Sequence, residues 1–481
     1  YALNTHTHTH QMTTIQTVFL RAYWMARGLL ALLVATALLY LHRIHSCLAS
    51  ARSRKCVAPS AGHPVVEPRW LETVLWTSGF YTAENYRAVH SVQATVPADN
   101  RGMCAHILLV RVHYTAGSAP PLSLPPEQRL PDRLMLKYSA ANWWGRTATL
   151  FAGSYREGLF YAATDHHPPE LAPLLPRVLY ASGSALCGEY VVLMEDACTS
   201  ARGTTCGANL VFGNQSWGLS PEAVRTLNKT LDGSTTALEV LARAFRAAAR
   251  MHAATWNSAA LLGEQRYGWL KGRRWLSDGG DRLRWESAME VGRRSWEAFR
   301  DDRSRFRLSA ALRTLIDRSF AASTFAGHLR QLRRRPFALC HGDFHAANML
   351  VGRSSELLVL VDWSEVGVQL PVADIAQMVV SDLHHTQFGR VRDVFRHDYY
   401  ECLCQSGRVD PNIYTEQQCW DHFVRAGLEK WVWFFAIIVG TPQMPKLAVQ
   451  YFHDQLCQFH AHFGQSIEQV QLSSCVPLLD S

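Results

Sequence analysis

The chain has 481 residues, 48% of them apolar and 18% charged, which is enough to bury a substantial core and too apolar for a disordered chain. The formal charge of +8 is misleading as a nucleic-acid signal: Arg21, Arg27, Arg43, Arg52, Arg54 and Lys55 stand in the first 66 residues with no acid, leaving +2 for the remainder. A nearly neutral body excludes a genome-binding surface as the default reading.

Residues 1–66 read as a leader or membrane-anchor segment that ends in a linker at 52–66 containing Pro59, Gly62 and Pro64. The run GLLALLVATALLYL, from Gly28 to Leu41, is fourteen uncharged residues long, short of the roughly 20 a spanning helix needs unless it begins at Ala22 with Arg27 inside. A signal anchor, a secretory signal and an Arg-rich transit peptide all fit it. If it stays in a membrane, the surplus of basic residues after it puts the body in the cytosol, and the glycosylation sequons at Asn214 and Asn228 should then remain unmodified. The THTHTH stretch at 5–10 reads as upstream translated sequence, with Met12 a candidate start. Twelve cysteines without repeating spacing, Cys402 and Cys404 being the nearest pair, read as reduced core thiols.

Over 86–137 the pattern favours strands: YRAVHSVQATV, a polar turn PADNRG, AHILLVRVHY, a Pro-rich insertion at 119–131, then RLMLKYS. SYREGLFYAA at 154–163 fits a helix, and YVVLMED at 190–196 is a short apolar strand ending in acids. Beyond Ser220 the signal turns helical, with Pro221 at a helix start, LEVLARAFRAAARMHAATW running to Trp256, and helical periodicity again at 421–439 and 447–463. Strands followed by helices give an α+β fold in two lobes, 67–198 and 199–481.

The stretch LCHGDFHAANMLV at 339–351 and the LVDW that follows at 360–363 carry the chemistry. On their own these residues also fit a β-hairpin with an Asx-turn at Asp343 and an unrelated aspartate downstream. As a set, HGDxxxxN followed by a strand ending in aspartate resembles the aminoglycoside phosphotransferase and choline or ecdysteroid kinase-like superfamily. The resemblance implies a bilobal, protein-kinase-like fold: a small antiparallel sheet and a larger helical lobe holding the acceptor site. It further implies ATP and Mg2+ as cofactors and a small-molecule alcohol as acceptor. Asp343 is then the catalytic aspartate, His341 braces its loop, and Asn348 and Asp362 are the Mg2+ ligands, hard oxygen donors that leave room for water and phosphates. Lys137 and Glu157 form the ion pair that holds the α- and β-phosphates. Gly102, alone in the turn at 100–104, covers the phosphates. Backbone groups near Glu195 and Asp196 take adenine.

By the same resemblance Asp374 is a buried aspartate that hydrogen-bonds loop amides, and an ordinary helix-start aspartate fits it as well. His345 fits either a structural hydrogen-bonder or a substrate contact. Met251, His252 and Trp256, the segment 212–220, Trp143, Trp144 and the WVWFFAII run at 431–438 read as core and cap residues. The interval from Asp362 to Asp374 leaves no room for a protein kinase's activation segment, and Gly342 stands where protein kinases carry an arginine; both favour a small acceptor. No GxxxxGK[ST], HExxH, GxSxG or GxGxxG motif is present. The rival reading is a pseudokinase that binds nucleotide or serves as a membrane-tethered scaffold, and the intact Lys137, Asp343, Asn348 and Asp362 set argues against it.

Overall fold

Apolar residues alternating with polar ones build the first half of the chain. The computed structural model describes residues 66–96, 106–115, 130–139, 149–150, 153–186, 188–197, 204–205, 236–277, 282–302, 304, 306–352, 358–441 and 444–472. In it, β1 (Val89–Thr95), β2 (His106–Tyr114), β3 (Arg133–Tyr138), β4 (Val178–Gly183) and β5 (Tyr190–Glu195) form an antiparallel sheet of order β1-β2-β3-β5-β4. Along β2, Leu108, Val110 and Val112 are buried while Leu109, Arg111 and His113 face solvent, the period of two expected of a sheet with a covered face. Helix α1 (Pro68–Thr77), opened by a proline, joins Leu71, Val74 and Leu75 to Leu134, Leu136 and Leu193 in one core. The alternate residues of β5, Tyr190, Val192 and Met194, belong to a second, larger core, so this strand stands between the two.

Helix α2 (Tyr155–Ala162) seats on β4 through two glycines. A Cβ on Gly158 would lie 2.2 Å from the Ser182 carbonyl oxygen, and one on Gly183 would lie 2.4 Å from that of Tyr155, so neither position admits a side chain. The seat fixes where Glu157 points.

The second half is mainly helical: α3 (Ala237–Ala254), α4 (Arg282–Phe299), α5 (Ala310–Ala322), α6 (Phe325–Arg334), α7 (Val372–Ser381), α8 (Glu416–Ile438) and α9 (Lys446–Phe463), with shorter turns between. Reciprocal capping boxes start α3, from Thr236 to Glu239, and α8, from Thr415 to Gln418. Trp431, Trp433, Phe435 and Ile438 of α8 are buried in the large core. Two small antiparallel sheets interrupt the helices: β6 (Ala338–Cys340) with β9 (Gly367–Gln369), and β7 (Met349–Gly352) with β8 (Leu358–Leu360) on one edge and Thr204–Thr205 on the other. The HGD segment is strung between β6 and β7.

The α+β layout is the one the sequence predicts. Its reading omits β4, α1 and α4 to α6. The charged composition of α4, RLRWESAMEVGRRSWEAF, hides a stripe that buries Trp285 and Trp296. The run from Gly28 to Leu41, Gly102, Trp143, Trp144, the segment 212–220, Pro221 and both sequons lie outside the described residues. Among the described residues no helix is long and apolar enough to cross a membrane, and Cys340, Cys402, Cys404, Cys419 and Cys457 are free.

Candidate active site

One face of α7 holds the HGD loop in place. Asp374 accepts hydrogen bonds from the backbone N–H groups of His341 (2.8 Å) and Gly342 (3.0 Å), and Asp382, just past the helix, accepts one from Ala346 N–H (3.0 Å). Asp374 is itself met by His252 Nε2 at 3.3 Å, whose Nδ1 faces the Tyr399 hydroxyl at 3.0 Å. Burial alone would raise the Asp374 pKa, but His252, His341 and the Gly342 amide lower it, so a buried carboxylate is paired with donors, as its desolvation requires. His341 Nδ1 accepts from Asp343 N–H (3.3 Å) and its Nε2 donates to the Val361 carbonyl (3.0 Å). Burial lowers its pKa, in keeping with that neutral tautomer. Gly342 has φ +81°, and a Cβ there would lie 2.1 Å from the Glu365 carbonyl oxygen. The arginine of protein kinases therefore has no space here.

Asp343 is held at both oxygens. Gln377, one turn along α7 from Asp374, donates Nε2–H to Oδ1 (2.8 Å), while His345 Nε2 (3.2 Å) and Asn348 Nδ2 (3.3 Å) meet Oδ2. Lys430 of α8 donates to the Gln377 side-chain carbonyl and to the Gly342 backbone carbonyl (3.1 Å). Burial would raise the Asp343 pKa, yet His345, Lys430 and Gln377 outweigh it and hold the carboxyl well below the usual range. His345 loses charge to burial and regains it from Asp343, which lifts its pKa to about 9. Asn348 also donates to the Asp343 backbone carbonyl (3.0 Å). With its nitrogen so engaged, its carbonyl oxygen is directed away from Asp343.

The other part of the site comes from the sheet. Lys137, near the end of β3, reaches Glu157 Oε2 at 2.7 Å and Asp362 Oδ1 at 2.9 Å. Burial works against its charge, but Asp362 and Glu157 raise its pKa well above the ordinary value. Asp362 sits at φ 62°, a left-handed conformation that aspartate tolerates better than most residues. The next residue, Trp363, stacks on Phe160 of α2 (4.2 Å between centroids) and touches the His341 ring (4.6 Å). Aromatic contact thus ties the Glu157 helix to both aspartates. The oxygens of Asp362 and Asn348 suit a hard divalent cation.

The adenine segment ends β5. The N–H groups of Glu195 and Asp196 donate to the carbonyls of Arg177 (2.9 Å) and Arg133 (3.1 Å). Residues that sequence reasoning misses are Gln377, Lys430 and Asp382. Gln377 was signalled by its i+3 spacing from Asp374, and Lys430 by standing charged at the head of the apolar WVWFFAII run.

Residues 222–407, less than half of the chain, match the family model described as "Phosphotransferase enzyme family", a span that contains Asp343, Asn348, Asp362 and Asp374. The resemblance carried by the HGD loop therefore holds over that span. Curated protein sequences give no match. Among solved structures the chain is similar to a choline/ethanolamine kinase family protein from Mesorhizobium loti, with 15% identity, coverage of 81% of this chain and 92% of that one, and a TM-score of 0.37. It is similar to a macrolide 2'-phosphotransferase from Brachybacterium faecium at 13% identity, 80% and 97% coverage and TM-score 0.37, and to a choline kinase from Cryptosporidium parvum Iowa II at 9%, 83% and 95%, and 0.40.

Proposed function

From the premise that residues 222–407 match the phosphotransferase enzyme family, we propose that the chain is an ATP-dependent kinase of a small-molecule hydroxyl, with 67–198 and 199–481 as its two lobes. The observation that carries this reading is the meeting of two distant stretches of chain: Lys137 and Glu157 from one, and Asp343 with Asn348, Asp362 and the α7 face behind them from the other. Asp343 accepts the acceptor hydroxyl and orients its oxygen. Its depressed pKa makes it a weak base, suited to late proton acceptance in a reaction where positioning dominates. Asp362 and the Asn348 carbonyl hold Mg2+, which when bound neutralises charge on the β- and γ-phosphates. Lys137, braced by Glu157, holds phosphate oxygens and exchanges its contact with Asp362 for them. His341 and Asp374 keep the loop in register.

The roles separate by measurement. By titration calorimetry, Asp343→Asn should bind MgATP within a few fold of wild type, whereas Asp362→Ala should weaken metal-dependent nucleotide binding by tenfold or more. Equal nucleotide affinity in Asp362→Ala and wild type would overturn the metal assignment.

A further inference from the structure

Several arginines of the helical half are paired. Arg282, Arg293, Arg294, Arg313, Arg318 and Arg392 each lie within 2.7 Å of a carboxylate. A contrasting place is a cavity of about 440 Å³ between α6 and the first half of α8, outside the cleft that holds Asp343. Arg330 and Arg334 line it from α6, and Arg425 and His422 from α8. Among the described residues Arg330, Arg334 and Arg425 make no ion pair. Asp421, the one acid in the lining, accepts a hydrogen bond from Gln417 (2.8 Å). Arg335, at the floor, is spent on a two-pronged pair with the buried Glu429 (2.8 and 2.6 Å).

Helix-end electrostatics accounts for part of this. Arg333 and Arg334 occupy the last turn of α6, where cations are favoured, but Arg330 lies a turn earlier and Arg425 is inside α8. Like charges gathered in one concavity repel unless an anion joins them, and guanidinium forks match phosphate oxygens in geometry as well as charge. Three unpaired guanidiniums exceed what one phosphate dianion neutralises. The volume is that of a small-molecule site.

We propose that this cavity binds a small ligand carrying two or more phosphate groups, without a metal ion and apart from the catalytic cleft. The probe is inorganic pyrophosphate, titrated into the full chain in EDTA, where a Mg2+-dependent nucleotide cleft is silent, against sodium chloride of matched ionic strength. The expected result is saturable binding at one site per chain, unchanged in Asp362→Ala and weakened at least tenfold in Arg330→Gln/Arg425→Gln, whose unchanged melting temperature shows that it folds. The single Arg334→Gln should give a smaller loss. Absence of saturable binding, equal binding by the double variant, or loss in Asp362→Ala would overturn the proposal. So would capture of the chain by phosphatidylserine vesicles without pyrophosphate binding, which would make the cavity a membrane contact.

Discussion

Both oxygens of Asp343 are occupied by donors from three places: its own loop, α7 and, through Gln377, α8. Lys430 can only donate, so the Gln377 carbonyl turns to it and the Gln377 amide is left to face Asp343. Lys430→Met should free that amide to flip and lower Asp343-dependent turnover by roughly 100-fold, the cost of about 1 Å of misplacement, with MgATP affinity unchanged. Lys430→Arg should recover part of the loss. Initial rates and nucleotide titrations check this, and a change in nucleotide affinity without a change in turnover would contradict it. Asp343, Asn348 and Asp362 stand out in the sequence through the HGDxxxxN motif and the strand after it, and the structure brings Asp343 and Asn348 within hydrogen-bond distance. Gln377 and Lys430 carried only weaker signals, an i+3 spacing and a charge beside an apolar run, because helix packing brings α7 and α8 to that loop.

At the scale of elements, the glycine seat between α2 and β4 sets the position of Glu157 and hence of Lys137. Gly158→Ala would drive a methyl group onto the Ser182 carbonyl, 2.2 Å away. The expected cost is about 1–3 kcal/mol of stability, as for other overpacked contacts, together with MgATP binding weakened several fold. Urea unfolding and nucleotide titration measure the two effects, and an unaltered affinity would show that α2 moves without carrying Glu157. Sequence patterning announced α2, α3, α8 and α9 through their apolar periodicity. The α4 to α6 region was obscured because its helices bury narrow stripes beneath many arginines, and β4 because its six residues, VLYASG, are only partly covered.

Across the whole molecule, β5 stands between two cores, with Leu193 in the sheet's and Tyr190, Val192 and Met194 in the helical one. Part of that packing is acid-sensitive. His328 is 2% exposed, among Trp275, Trp285 and Phe325, and burial, aided by Arg335, pushes its pKa down to about 4. The unfolded chain takes up a proton near pH 6.5 that the folded chain refuses, so stability falls as pH drops from 6.5 towards 4, by roughly 3 kcal/mol from this group. His328→Phe should lose less over that range in urea unfolding, and parallel losses would refute the assignment. The central claim concerns chemistry. The measurement that tests it most directly is incubation of the full chain with γ-labelled ATP, Mg2+ and fractionated metabolite extract. The account predicts a labelled phosphate ester of a small alcohol with wild type and none with Asp343→Asn; tight MgATP binding with no Asp343-dependent product in any fraction would contradict it.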